Sequence, residues 1–294
     1  MEELVKLEQR RKKSMIFFSC GIGGLVLGVL LFVLLSVSET GAAVIPAILL
    51  IIPGIIFIAI GTAKFKAIEK EFKANCMQKI LEEIIPNAKY FPKLGIPLHE
   101  IYSYGLLKKG DREYIEDLIQ GEIQGVKFRT CDLRLEERRV HRNSNGGTTV
   151  TYVPYFTGRF FEFDFNKTFK GNLILSETSM IKPFGMQKVS LESEEFNKKF
   201  KTFAKDEYSA FYVLTPHVMT SLLDLERMNP GAISISINSN KMAIALNNNR
   251  DTFSLKMNQK INDYIFVSFK KDMAVINQIV EEMNLNNKIF KEEY

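Results

Sequence analysis

Two apolar stretches near the N-terminus constrain this chain more than anything else in it. Met15–Ser38 and Thr40–Ala63 are each 24 residues long and contain no Asp, Glu, Lys, Arg or His, and the charge between them is Glu39. At about 1.5 Å per residue, a helix of that length crosses a hydrocarbon core of about 30 Å. The pattern predicts a two-helix transmembrane hairpin over 14–63, with the lipid bilayer as the first partner. Arg10, Arg11, Lys12 and Lys13 precede the first run and Lys64, Lys66, Lys70 and Lys73 follow the second, whereas the connection Val37–Ala43 has neither Lys nor Arg. The positive-inside rule then puts both termini on the cytoplasmic side of the cell membrane. Arg10, Arg11, Lys12, Lys13, Lys64 and Lys66 become the expected contacts for anionic headgroups. A cleaved signal peptide fits less well, because the first run exceeds a normal signal core and a second span follows at once.

Neither span carries an ionisable side chain, which transport sites and proton relays usually need, so the pair reads as an anchor. Gly24 and Gly28 form a GxxxG step that lets two helix backbones approach closely. That step serves either the chain's own second span, where Gly54, Ala59 and Ala63 are small, or a homo-oligomer. Pro46 and Pro53 predict mild kinks in the second span.

The formal charge of +5 is small and much of it sits beside the apolar runs, which disfavours nucleic acid as a partner. Cys20, Cys76 and Cys131 are far apart in the sequence, with no CxxC pair. Packing is the expected role of Cys76 and Cys131.

After the spans, the expected divisions are a basic N-tail (1–13), the hairpin (14–63), a juxtamembrane amphipathic helix (64–86) and a cytoplasmic domain (87–294). Phe65, Ile68, Phe72, Cys76, Ile80 and Ile84 recur at helical spacing, and Pro86-Asn87 stops that helix. Tyr90–Gly110 reads as loop, and Asp111 onward as a short helix carrying Tyr114, Ile115 and Leu118. Strand patterns follow over Glu122–Arg139 and Thr148–Val153, joined by a turn at Asn143–Gly147. Phe161-Glu162-Phe163-Asp164-Phe165 alternates, predicting three buried rings and two exposed carboxylates. Ile233, Ile235 and Ile237 pair with Met242, Ile244 and Leu246 as a second hairpin across Asn238–Lys241. Short helices are expected over Ser193–Phe200 and Asp206–Leu214, after the cap Thr215 with Pro216 next, and from Asp272 onward. The class is α+β: an antiparallel sheet with packed helices behind a two-helix anchor.

Catalytic signatures are missing. There is no GxxxxGK[ST], HExxH or GxSxG, and Gly21–Gly24 lies inside a span and not between a strand and a helix. His99, His141 and His217 have no partner at metal-ligand spacing, so no metal and no cofactor is expected. Cys131 with His141 reads as packing more readily than as a nucleophile and base. Glu162 and Asp164 resemble a paired-acid site, although charges opposite a Phe face are usually the wet side of a sheet. Arg138, Arg139, Arg142 and Arg159, with Tyr152, Tyr155 and Phe156, form a candidate polyanion contact that Glu136 and Glu137 interrupt.

Gly121-Glu122-Ile123-Gln124-Gly125, Gly158–Gly171 (GRFFEFDFNKTFKG), Glu195–Phe200 (EFNKKF) and Val213–Leu223 (VLTPHVMTSLL) follow one another behind the anchor. In that order they resemble a bacterial family of two-span membrane proteins with a cytoplasmic domain of unknown function, some members of which carry the misleading label galanin. The resemblance implies an integral membrane protein of bacterial origin and offers no catalytic residues. The leading expectation is therefore a non-enzymatic, membrane-anchored interaction or scaffolding domain with an unknown protein partner. The alternatives are a membrane-bound hydrolase acting on lipid or envelope precursors, or a subunit of an oligomeric channel or transporter. A polar cleft joining two of Glu162, Asp164 and His217 is the feature that favours the hydrolase.

Overall fold

The computed structural model describes residues 2–36, 44–143, 146–178, 183–283 and 285; the expected connection around Glu39 lies outside them. The chain divides into two compact units. One comprises Met1–Lys79 with Ser254–Phe269, and the other Ile80–Phe253 with Lys270–Tyr294.

The first unit is built on two long helices, α1 (Glu2–Ser36) and α2 (Val44–Ile84). The basic residues before the first apolar run are thus part of α1. Pro53 lies inside α2. The helices touch through glycine. A Cβ built on Gly54 would lie 2.9 Å from the Gly21 carbonyl oxygen, and one built on Gly28 would lie 2.7 Å from Ile51 Cγ1. Gly24 faces the backbone of Leu50 and Gly54 at 3.4 and 3.5 Å. Ser14, fully buried, donates to the Gly61 carbonyl at 3.1 Å. Away from this seam the side chains are open: Leu27, Leu34, Ile45 and Leu49 are among many exposed apolar residues.

The segment 254–269 belongs to the same unit and is held by polar side chains of both helices. Glu8 accepts from the Ile261 amide at 2.8 Å, and Glu69 accepts from the Leu255 amide at 3.0 Å. Arg11, buried, donates to Glu8 at 2.8 Å and to the Met257 carbonyl. Phe72 packs against Phe266 and Phe269 with ring centroids 6.0 and 5.8 Å away.

The second unit is an antiparallel sheet of seven strands among the described residues. They are β1 (Lys89–Phe91), β2 (Arg112–Ile123), β3 (Val126–Arg142), β4 (Thr148–Ser176), β5 (Gln187–Val189), β6 (Lys201–Ala204) and β7 (Ala232–Asn247). The order is β1-β2-β3-β4-β6-β5, with β7 along the other edge of β4. Helices α3 (Leu98–Ser103), α4 (Glu194–Lys199), α5 (Glu207–Val213) and α6 (Pro216–Met228) interrupt the strands, and α7 (Asp263–Glu282) follows them. Ser193, Asp206 and Thr215 cap α4, α5 and α6 through their side-chain oxygens, Thr215 being the cap that the sequence predicts. The α+β class and the two long apolar helices ahead of the sheet stand as expected.

Several local expectations do not hold. The helix expected from Asp111 is β2; a bulge between Glu116 and Ile119, with Asp117 at φ +59°, adds one residue to the strand. That extra residue puts Ile115 and Leu118 three apart, which mimics helical spacing. The hairpin expected across Asn238–Lys241 is one strand, β7, running beside β4 from Asn247 to Ser234. Its polar middle lies where β4 bulges, since β4 advances from Asp164 to Phe169 while β7 advances only from Lys241 to Ser239. Lys89–Phe91 and α3 lie within or beside the stretch read as loop, and α7 begins at Asp263, before Asp272. The turn at Asn143–Gly147 closes with Asn143 N–H donating to the Gly147 carbonyl at 2.8 Å, although 144 and 145 lie outside the described residues.

Candidate functional site

The sheet face that carries Phe160 is covered at one end and open at the other. At the covered end, Ile96, Ile101, Tyr104 and Leu106, on and around α3, pack on Cys131, Leu133, Leu135, Phe156 and Phe160. One step along β4 on that face stands Glu162, and there the surface turns polar. Lys89, Gln120, Arg129 and Glu162 lie in register across β1, β2, β3 and β4. In the next row Asp164 stands opposite Lys241 of β7. With Lys127, Phe128 and Gly121, these residues line an open groove of about 600 Å3.

Glu162 is not on a wet face. It is 4% exposed, because α3 and Tyr104 cover that side of the strand while Phe161 and Phe163 fill the other. A strand buried on both faces no longer sorts its charges outward. Phe165 falls among residues whose side chains lie outside the described set. The Glu162 carboxylate accepts from Arg129 Nε and Nη2 at 3.2 and 2.8 Å and from Lys241 Nζ at 2.9 Å on Oε1. On Oε2 it accepts from the Tyr104 hydroxyl at 2.8 Å and Arg129 Nη2 at 2.9 Å. Arg129 also meets Glu100 at 2.5 Å. Burial raises the Glu162 carboxyl, but the hydrogen bonds from Lys241, Tyr104 and Arg129 outweigh it and hold it below the ordinary carboxylate range. Burial and the bond to Glu162 push the Tyr104 hydroxyl up, so it remains a donor. A carboxylate offers about four acceptor sites, and these are filled; nothing is left to take a substrate proton.

On the opposite face Arg159 and Asp132 form a second buried pair, Nε to Oδ1 at 3.3 Å. Arg159 lies over the Phe253 ring at 4.6 Å, and the Thr252 amide donates to Asp132 at 2.6 Å. Burial pushes Asp132 up to about 7 even though Arg159 pulls the other way. Arg159 is thus separated from the polyanion cluster in which the sequence suggested it: its guanidinium is buried against Asp132 and two rings.

Arg138, Arg139 and Arg142 stay together on the exposed end of the β3–β4 ribbon. Glu137 takes the charge of Arg139 at 2.6 Å, while the Arg138 amide donates to Asp111 at 2.7 Å. Among the basic flanks, Lys12, Lys13, Lys64 and Lys66 are exposed, with Lys64 over the Phe17 ring at 4.0 Å. Arg10 meets Glu71 at 2.5 Å, and Arg11 is buried, turned toward Glu8 and Met257 instead of outward. Gly24 and Gly28 both face α2 of the same chain.

The three histidines are exposed on different elements: His99 on α3, His141 on β3 and His217 on α6. Cys131 is buried, its thiol pushed up to about 12 by burial. Ten residues along one strand from His141, it is about 33 Å away and forms no dyad. Glu116, Asp117 and Asp251 bring one carboxylate oxygen each within 4.8 Å of one another, but Asp117 is engaged by the Tyr90 hydroxyl and a bare acidic cluster is not a cation site. The groove cations Lys89, Lys127 and Lys241 escaped sequence reasoning. The available signal was strand alternation, which would have put Lys127 and Arg129 on one face of β3.

Residues 154–285 match the family model described as a protein of unknown function (DUF3137). The coarser part of the sequence resemblance, a domain of unknown function, is thereby borne out over Gly158–Gly171, Glu195–Phe200 and Val213–Leu223, while Gly121–Gly125 precedes the match. No curated protein matches the chain. A crystal structure of the mycobacterial trehalose monomycolate transport factor A, TtfA, aligns at a TM-score of 0.35 and 6% identity, over 67% of this chain and 88% of that one. A likeness that slight carries no argument about fold or role.

Proposed function

We propose that this chain is a membrane-anchored, non-enzymatic interaction domain of a bacterial cell. The two helices cross the bilayer, and both termini and the sheet lie on the cytoplasmic side. One observation carries the reading: of the most apolar windows of the two helices, only 11% and 17% is buried. A core helix of a soluble protein hides its apolar side chains, whereas these present Val26, Leu30, Ile52 and Ile56 to their surroundings. Lys12, Lys13, Lys64 and Lys66 supply the lipid-facing charge, the exposed ribbon with Arg138 and Arg142 offers a further anionic contact, and the partner is a protein bound through the sheet domain. The protein should remain in the membrane fraction after alkaline carbonate, and its C-terminal part should survive protease added to intact spheroplasts. Release by carbonate would overturn the anchor, and digestion would overturn the orientation.

The hydrolase reading keeps one observation in its favour, since the groove joins Glu162 and Asp164. The filled acceptors of Glu162 weigh against it. Loss of cellular effect in Asp164→Asn, with folding intact and no partner recovered by pull-down, would reverse that ranking.

A further inference from the structure

We propose that the open groove of the sheet binds an anion of the phosphate-ester class, with Lys89 and Lys127 as its primary contacts. This deepens the interaction-domain reading and rests on it. Four cations, Lys89, Lys127, Arg129 and Lys241, line the groove against two carboxylates, Glu162 and Asp164. The charge of Glu162 is spent on Arg129 and Lys241 beneath the floor. Lys89 and Lys127 are exposed and form no ion pair among the described residues, although Glu122 stands across from Lys127 in register. Among the residues lining this concave site cations thus outnumber carboxylates four to two, an excess of positive charge that favours capture of an anion.

The floor is also prepared for a ligand. Arg129 is clamped between Glu100 and Glu162, so its planar fork is held before anything binds. Lys241 uses one bond to Glu162 and keeps further N–H donors free for a second acceptor. A volume of about 600 Å3 fits a small molecule or a headgroup. Gln120 and Asp164, between the cations, give hydroxyl groups a partner that a bare anion would not need. The shared chemistry is thus a phosphate ester of a polyol, whether free in solution or as a phosphoglycerol headgroup.

The test uses the full chain purified in uncharged detergent and titrated calorimetrically with glycerol 3-phosphate, inorganic phosphate and dihexanoylphosphatidylglycerol below its micellar concentration. Saturable binding of at least one ester, weakened at least tenfold in Lys89→Ala/Lys127→Ala, is expected. Both lysines are exposed, so the unfolding midpoint should not move. Binding of glycerol 3-phosphate identifies a soluble ester, and binding of the short-chain lipid alone identifies a headgroup. Saturable binding by neither ester, or equal affinity in the double variant, overturns the proposal. So does loss of binding in Arg138→Ala/Arg142→Ala with the groove variant unaffected. Carbonate release would sink the anchor without touching this result, and liberation of inorganic phosphate from the ester would mark the hydrolase instead.

Discussion

Glu162 and Asp132 sit on opposite faces of the same sheet and answer pH in opposite directions. Glu162 is held below the ordinary carboxylate range, so its contribution is present above the unfolded value near 4.5 and lost as pH falls through its folded value. Asp132 is raised to about 7, so its contribution is complete below about 4 and lost as pH rises toward 7. Glu162→Gln should flatten the acid limb of a urea-midpoint profile and cost about 1–3 kcal/mol at neutral pH, since Arg129 keeps Glu100 and part of its solvent contact. Asp132→Asn should remove the decline between about pH 4 and 7, because the amide has no proton to lose as the pH rises. A Glu162→Gln profile with the acid limb unchanged would show that the network adds nothing to folding. Neither role was legible in the sequence: both carboxylates look like solvent-facing residues until the elements that cover each face are known.

At the level of elements, legibility followed how local the signal is. Ser193, Asp206 and Thr215 mark their helices because a cap is decided within four residues. β2 and β7 were misread because the bulge in β2 and the one in β4 beside β7 show only against the partner strand's register, which no single window of sequence holds. The seam of α1 and α2 was readable as spacing and becomes testable as distance. Gly54→Val should force the helices apart and lower the thermal midpoint in detergent by several degrees, about 1–3 kcal/mol of overpacking. Gly23→Val is the matched control, since a Cβ there meets nothing within 4 Å, and it should leave the midpoint in place. Equal effects at the two positions would mean that helix propensity, and not contact, is being measured.

Over the whole molecule, the division of the chain is the feature least visible in its order of residues. Ser254–Phe269 joins the unit of the two long helices although the sheet strands separate it from them in sequence. Arg11→Ala should accordingly speed hydrogen exchange at 255–261 while leaving the sheet amides protected, because Glu8 then loses the guanidinium that orients it toward the Ile261 amide. Unchanged exchange there would show that Arg11 is incidental. The groove was illegible for the same reason: its walls come from β1 to β4 and β7, and no window of sequence holds more than two of its cations.

The late return of Ser254–Phe269 also sets a schedule for biogenesis. While the stretch from Ile80 to Phe253 is being translated, at about 5–20 residues per second, Glu8, Arg11 and Glu69 wait roughly 10–35 s for the backbone groups they will hold. During that interval water, headgroups or a chaperone must occupy them. A ribosome stalled before residue 254 would therefore carry a nascent chain whose first unit is still incomplete.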